Sequence, residues 1–217
     1  MDYDDRNEGY ITPAVKWLLI ANGLVYIMQF LRGSFLQYWF ALWPNAHSGY
    51  IPISFHELFA INSFYPWQLV TYAFLHSTYS FSHILFNMFG LWMFGPQLER
   101  TVGTRQFTFY YFVCAIGGGL THLTYANIVG SPTPILGASA AIFGLLLSYG
   151  MLFPESKVYL LFIPVPIPAR TFVIIYGLLE LFEGVFGIEE GVAHFAHLGG
   201  LLFGIFVILY WRRKKIV

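Results

Sequence analysis

The sequence has few charged residues: 10% of its 217 residues are Asp, Glu, Lys or Arg, against 57% that are hydrophobic. A water-soluble domain carries about 25% charged residues, so this chain is too poor in charge to cover a surface that faces water. Its mean hydropathy of +0.62 agrees. The formal net charge is zero, which argues against a nucleic-acid partner. The composition predicts a membrane protein that crosses the bilayer several times.

Cysteine is almost absent as well. The single Cys114 excludes an intrachain disulfide and a cysteine-based metal site. No cluster along the sequence has metal-ligand spacing, so we expect no metal and no cofactor. The first residues are acidic, whereas a cleavable signal peptide begins with basic ones. We therefore expect the first spanning helix to serve as the targeting signal.

Apolar runs between helix breakers predict an all-α fold with six membrane-spanning helices, each near the roughly 20 residues that a bilayer requires. The predicted spans cover residues 13–31, 80–98, 105–127, 137–153, 171–187 and 192–211. Residues 33–68 are aromatic and interrupted by prolines, which favours a membrane-embedded first loop with short interfacial helices. Residues 154–170 contain three alternating prolines, which exclude a regular helix.

The distribution of Lys and Arg predicts the orientation. With both termini in the cytoplasm, the inner tails and loops hold ten Lys or Arg residues and the outer loops hold only Arg32. Such an excess is typical of cytoplasmic segments. We expect residues 1–12 to be a cytoplasmic tail, residues 13–211 to form one membrane domain, and the basic residues 212–217 to be a second cytoplasmic tail.

Polar side chains lie where hydrocarbon is expected, at the same ends of three predicted spans. Ser139, His197, His83 and Asn87 all fall roughly 3–11 Å below the outer helix ends, at 1.5 Å per residue. Such residues are costly in lipid and mark functional sites. His197 can activate the weakly nucleophilic serine, and His83 and Asn87 share a helix face from which both can donate to one oxyanion. The pattern predicts a hydrolase whose active site lies within the membrane.

Small residues on two of these spans predict close helix packing. Gly137 and Gly144 lie on the fourth span, and Gly199, Gly200 and Gly204 lie on the sixth. Glycine stripes let helix backbones approach one another closely in a membrane. A hydrogen bond between Ser139 and His197 requires such an approach.

Several motifs, taken together and in this order, resemble the rhomboid family of intramembrane serine proteases. They are His76, His83-Ile84-Leu85-Phe86-Asn87, Gly137-Ala138-Ser139 and Ala196-His197-Leu198-Gly199-Gly200 with Gly204, together with Trp67 and Glu99-Arg100 with Gly103. The resemblance covers the whole six-helix core, about residues 13–211. It implies a cell-membrane protein of the bacterial inner membrane type, with transmembrane proteins as substrates and lipids as neighbours.

The resemblance also implies a role for each site residue. Ser139 would attack and His197 would act as its base, in a dyad without an acidic third member. The oxyanion hole would consist of His83, Asn87 and the Ser139 N–H. Supporting positions would be Gly137, Phe143, Gly199 and Gly200, and the fifth predicted span would be a lateral gate beside the site.

Three positions depart from the usual pattern of that family. Ala140 replaces a glycine, so an added methyl group could narrow the oxyanion hole. Phe143 replaces a tyrosine, which keeps the aromatic stack on the histidine and loses the hydroxyl. Gln68 replaces an arginine, so any ion pair that this arginine made is absent. None of the three removes a reacting atom.

Two alternatives stay open on the sequence alone. Glu180 and Glu183 either face the wet outer half of the membrane and bond to the first loop, or take part in gating or substrate contact. Phe182 and Phe186 on the same predicted span are further candidate gate residues. The chain is either an active protease or a rhomboid-like pseudoenzyme or membrane chaperone that binds transmembrane segments without cutting them. The presence of both Ser139 and His197 favours the protease.

Overall fold

The computed structural model describes residues 10–44, 64–160, 163–186 and 193–217, and the structural statements that follow refer to these residues. Helices form most of this part of the chain. They are α1 (Pro13–Phe40), α2 (Gln68–Thr71) with the 3₁₀ turn Tyr72–Phe74, α3 (Phe81–Val102), α4 (Thr104–Val129), α5 (Ser139–Leu152), α6 (Ala169–Phe186) and α7 (His194–Arg213).

Three of these helices, α1, α4 and α7, are long and apolar enough to cross a membrane, and α5 is apolar but shorter. The protein is therefore a mostly helical, multi-pass membrane protein. Each of the six predicted spans corresponds to one helix: α1, α3, α4, α5, α6 and α7. The predicted tail 1–12 lies largely outside the described residues, as does much of the predicted first loop.

Helix α1 runs past its predicted end because its second part belongs to the first loop. Arg32 has non-helical dihedral angles, with φ at −142° and ψ at 36°, and so divides the helix by a kink. Residues 33–40 continue as a short helical segment beyond it. The sequence places this break correctly, but its prediction for residues 45–63 lies outside the described part.

The prediction of an all-α chain is wrong between α5 and α6. Strands β1 (Lys157–Leu160) and β2 (Ile163–Pro168) form an antiparallel hairpin in which Lys157 lies opposite Pro168. Alternating prolines exclude a helix here, as expected. A two-stranded ribbon tolerates them, because each strand has an outer edge on which no backbone N–H is needed for pairing. The segment therefore pairs with itself.

Glycines bring α7 into backbone contact with its neighbours. A methyl group on Gly200 would lie 2.0 Å from the carbonyl oxygen of Ala140, and one on Gly199 would lie 2.9 Å from the Cα atom of Gly118. These distances leave no room for a side chain, so α7 packs directly on both α4 and α5. The predicted close approach is present, and it also includes α4.

Glu99 ties three helices together at the opposite end of α3 from the predicted site. Its carboxylate accepts hydrogen bonds from Thr12 Oγ1 at 2.5 Å, Ala14 N at 2.9 Å, Val15 N at 3.1 Å and Thr104 Oγ1 at 2.7 Å. A carboxylate at a helix N-terminus satisfies backbone N–H groups that have no partner within the helix. Glu99 thus anchors the start of α1 to the junction of α3 and α4.

Candidate active site

Ser139 and His197 meet where two helices begin. Ser139 is the first residue of α5, and His197 is the fourth residue of α7. Ser139 Oγ lies 2.8 Å from His197 Nε2, which is a hydrogen-bond distance. The arrangement provides a hydroxyl with a base already in contact.

Aromatic rings hold the imidazole of His197 in its plane. Phe143, one turn after Ser139, stacks on it with ring centroids 4.3 Å apart and an interplanar angle of 8°. Tyr176 of α6 stacks on the other face of Phe143 at 5.1 Å, and Phe172 stacks on Tyr176 at 5.6 Å. The sequence predicts the first contact and misses the two from α6, because which way a helix faces depends on its packing.

The ring of His83 lies beside Gly137. A methyl group on Gly137 would lie 2.8 Å from His83 Nε2 and 3.8 Å from Ser139 Oγ, and the φ angle of +124° at Gly137 also favours glycine. His83 Nδ1 accepts a hydrogen bond from the N–H of Ser77 at 3.2 Å. The proton of a neutral imidazole is then on Nε2, so His83 presents a donor close to the serine.

Asn87 lies one turn further along α3 and is buried. Its Nδ2 donates to the backbone oxygen of His83 at 2.8 Å. An amide carries two N–H bonds, so a second donor remains. The predicted contribution of Asn87 to an oxyanion hole stays a prediction.

The segment before α3 is fixed by a residue that sequence reasoning missed. Gln29 of α1 donates to the backbone oxygen of His76 at 2.8 Å and accepts from its N–H at 2.9 Å. The ring of His76 packs edge-on against His83, with centroids 5.2 Å apart. Burial lowers the pKa of His76 to about 3, so this ring is neutral near pH 7 and adds no charge beside His83.

Glu180 contacts His197, for which the family resemblance implies no acidic partner. Its Oε2 lies 2.9 Å from His197 Nδ1 and 2.8 Å from His194 Nδ1. All three side chains are buried. The carboxylate therefore points into the site rather than toward the first loop. Glu183, one turn along, is 3.8 Å from His194 Nδ1, which is beyond hydrogen-bond length.

The same three side chains also overturn the argument that no cluster has metal-ligand spacing. One ligand atom from each of Glu180, His194 and His197 lies within 4.8 Å of the others. Such atoms can bind a divalent metal, although zinc would lie about 2.0–2.2 Å from each. The observed separations of 2.8 and 2.9 Å join nitrogen directly to oxygen and are those of hydrogen bonds.

The structure shows the surroundings of Ala140 and Gln68, two of the three residues that depart from the family pattern. The methyl group of Ala140 is buried toward α4, since a methyl group placed on Gly118 would lie 2.4 Å from it. The side chain of Gln68 accepts from the backbone N–H of Trp43 at 3.3 Å and of Tyr65 at 3.2 Å. Gln68 thus holds the described ends of the first loop together.

The outer surface of α6 is apolar and exposed. Phe182 and Phe186 are 52% and 66% exposed, and their ring centroids lie 4.6 Å apart. The buried residues of this helix are Ala169, Val173 and Glu180. Helix α6 is therefore attached to the described bundle over a narrow face that includes the Glu180 carboxylate.

Comparisons with known proteins identify the family of the chain. A family model described as the Rhomboid domain matches residues 63–214. Rhomboid protein 1, mitochondrial, of Saccharomyces cerevisiae is 35% identical over 156 residues, which cover 69% of this chain and 42% of the yeast protein. Rhomboid protease GlpG of Yersinia pestis is 28% identical over 209 residues, which cover 95% of this chain and 64% of that protein. The chain thus spans less than two thirds of either relative.

Proposed function

Because the chain belongs to the rhomboid family, we propose that it is an intramembrane serine endopeptidase, which cleaves transmembrane proteins near the outer face of the membrane. The hydrogen bond of 2.8 Å between Ser139 Oγ and His197 Nε2 carries this proposal. A pair that is already in contact is what nucleophilic catalysis by serine requires.

The reaction follows from this contact. Ser139 Oγ attacks the carbonyl carbon of the scissile peptide bond while His197 Nε2 takes the hydroxyl proton. The tetrahedral intermediate collapses, the C–N bond breaks, and His197 returns the proton to the leaving amine. A water molecule then attacks the acyl-enzyme while His197 accepts its proton. The bond from the acyl carbon to Ser139 Oγ breaks, His197 returns the proton to Ser139 Oγ, and the product leaves as a carboxylic acid.

The negative charge on the tetrahedral intermediate needs donors on the other side of the carbonyl. We assign this role to His83 Nε2, which lies beside Gly137 and is the protonated nitrogen of the neutral ring. The N–H of Ser139 lies in the first turn of α5, where backbone donors have no partner within the helix. The second amide N–H of Asn87 is a third candidate donor.

The substrate reaches this site from the lipid, past α6. In this proposal α1 and α3–α7 all cross the membrane, both termini face the cytoplasm, and the starts of α3, α5 and α7 face outward. The Lys and Arg distribution supports this orientation. A reporter-fusion map that gave an odd number of crossings would contradict it.

Two substitutions test the reaction. Ser139→Ala and His197→Ala should each abolish cleavage of a transmembrane substrate by the detergent-solubilised protein, and the double variant should be no worse than either, as for groups that act as a unit. Ser148→Ala is the matched control, because Ser148 lies in the same helix but donates to the backbone oxygen of Leu145.

Substantial activity in either single variant would show that Ser139 and His197 are not the catalytic pair. A wild-type protein that bound transmembrane segments without cutting any of them would favour the chaperone alternative. The hydrogen bond between Ser139 and His197 argues against that outcome, because binding alone does not require a serine paired with a base.

A further inference from the structure

Glu180 is a buried carboxylate on a helix whose other side chains are mostly exposed and apolar. An unpaired charge in such a place is strongly unfavourable. The groups that contact the Glu180 carboxylate therefore indicate its role. Both partners are histidines of α7, and both contact the same oxygen, Oε2.

We propose that Glu180, held in place by His194, is a positioning residue for His197. The site would then be a Ser139–His197–Glu180 triad with a second histidine on the carboxylate. This inference rests on the proposed function, and it adds an acidic member to the dyad that the family resemblance implies.

The hydrogen bonds fix the tautomer of His197. An ionised carboxylate only accepts hydrogen bonds, so His197 Nδ1 must carry the proton in the bond to Glu180. The lone pair of the neutral ring is then on Nε2, the atom that faces Ser139 Oγ at 2.8 Å. Without the carboxylate, the ring is free to adopt the other tautomer, in which Nε2 carries the proton and cannot act as a base.

His194 completes the arrangement from the other side of the carboxylate. The same reasoning puts its proton on Nδ1, which donates to Glu180 at 2.8 Å. Its buried Nε2 has no hydrogen-bond partner within the described residues, so the polar contact of this ring is with the glutamate. A second donor stabilises the buried negative charge and keeps the carboxylate aimed at His197.

The carboxylate also matters during the reaction. When His197 takes the proton from Ser139, the ring becomes an imidazolium inside the membrane, where a lone charge is costly. A carboxylate at 2.9 Å balances that charge. Its removal should therefore slow the chemical step more than it weakens substrate binding.

Steady-state kinetics on a transmembrane substrate test the role of Glu180. Glu180→Gln keeps the shape and removes the charge, and we expect kcat to fall by about 10²–10⁴ with little change in KM. Glu180→Asp restores the charge one methylene further away and should recover a clear part of the loss. Glu155→Gln, which removes an exposed carboxylate between α5 and β1, should leave kcat within about twofold of wild type.

A second pair of variants tests His194. Asn places an amide N–H close to where the Nδ1–H of histidine lies, so His194→Asn should retain most of the activity. His194→Leu removes the donor and should lower kcat by about tenfold, comparable to one lost hydrogen bond to a charged group. Thermal unfolding midpoints in the same detergent separate this effect from unfolding, and if Glu180→Gln unfolds, the His194 pair carries the test.

The outcomes distinguish this inference from the proposed function. If Ser139→Ala is inactive but Glu180→Gln behaves like Glu155→Gln, the protease stands and the triad is wrong. If the activity lost in Glu180→Gln and Glu180→Asp only matches the amount of folded protein lost, Glu180 has a structural role and the inference fails. Loss of wild-type activity on treatment with a chelator, reversed by zinc, would also overturn it, since the cluster would then hold a metal.

Discussion

Ser139 and His197 are 58 residues apart in sequence and 2.8 Å apart in space. Their contact depends on residues with no polar side chain. Gly200 lets α7 reach the backbone of α5 at Ala140, and Phe143 fixes the plane of the histidine ring. Two helix N-termini held in contact thus place a histidine beside the proposed nucleophile.

The oxyanion donors offer a test at the scale of single residues. Replacing His83 or Asn87 by Ala should lower kcat by about 10²–10³ with little change in KM, because these donors act on charge that exists only in the intermediate. Ser82→Ala is the control on the same helix, since Ser82 is exposed and bonds to Ser80. A variant that raised KM alone would show His83 and Asn87 to be substrate contacts.

At the scale of whole elements, helix existence was predictable and helix rotation was not. Long apolar runs predict all six major helices, and the break at Arg32 falls where residues 13–31 end. The direction of Glu180 was not predictable, because a carboxyl group in the fifth predicted span can face lipid, loop or core depending on neighbours distant in sequence. The hairpin of β1 and β2 was missed because prolines exclude a helix without specifying what replaces it.

Helix α6, the proposed gate, also contacts the proposed catalytic residues. It supplies Tyr176 to the aromatic stack and Glu180 to the histidines, yet most of its surface is exposed. If α6 moves outward to admit a transmembrane segment, Glu180 moves with it. Glu180 would then contact His197 only while α6 is in its closed position.

Trimming the exposed face of α6 tests its role as a gate. Phe182→Ala or Phe186→Ala should speed cleavage of a transmembrane substrate severalfold while leaving hydrolysis of a small soluble ester nearly unchanged, because the ester arrives from water. Phe206→Ala, which removes a ring that is 59% exposed on α7, is the matched control. Equal effects on both substrates would contradict the gate and favour access from the aqueous face.

At the scale of the whole molecule, α3, α5 and α7 carry His83, Ser139 and His197 within their first four residues. In the proposed topology, with six crossings and both ends inside, these starts share one face of the membrane. The proposed topology thus places His83, Ser139 and His197 at a similar depth in the membrane, in a chain that is 57% hydrophobic.

Labelling with a fluorophosphonate tests the central claim, which is that Ser139 is a nucleophile activated by His197. The account predicts that the detergent-solubilised wild-type protein forms one adduct, located on Ser139 by peptide mass spectrometry. The adduct should be lost in Ser139→Ala, strongly reduced in His197→Ala and unaffected in Ser148→Ala. Substrate cleavage without labelling of Ser139, or equal labelling in His197→Ala and wild type, would contradict it.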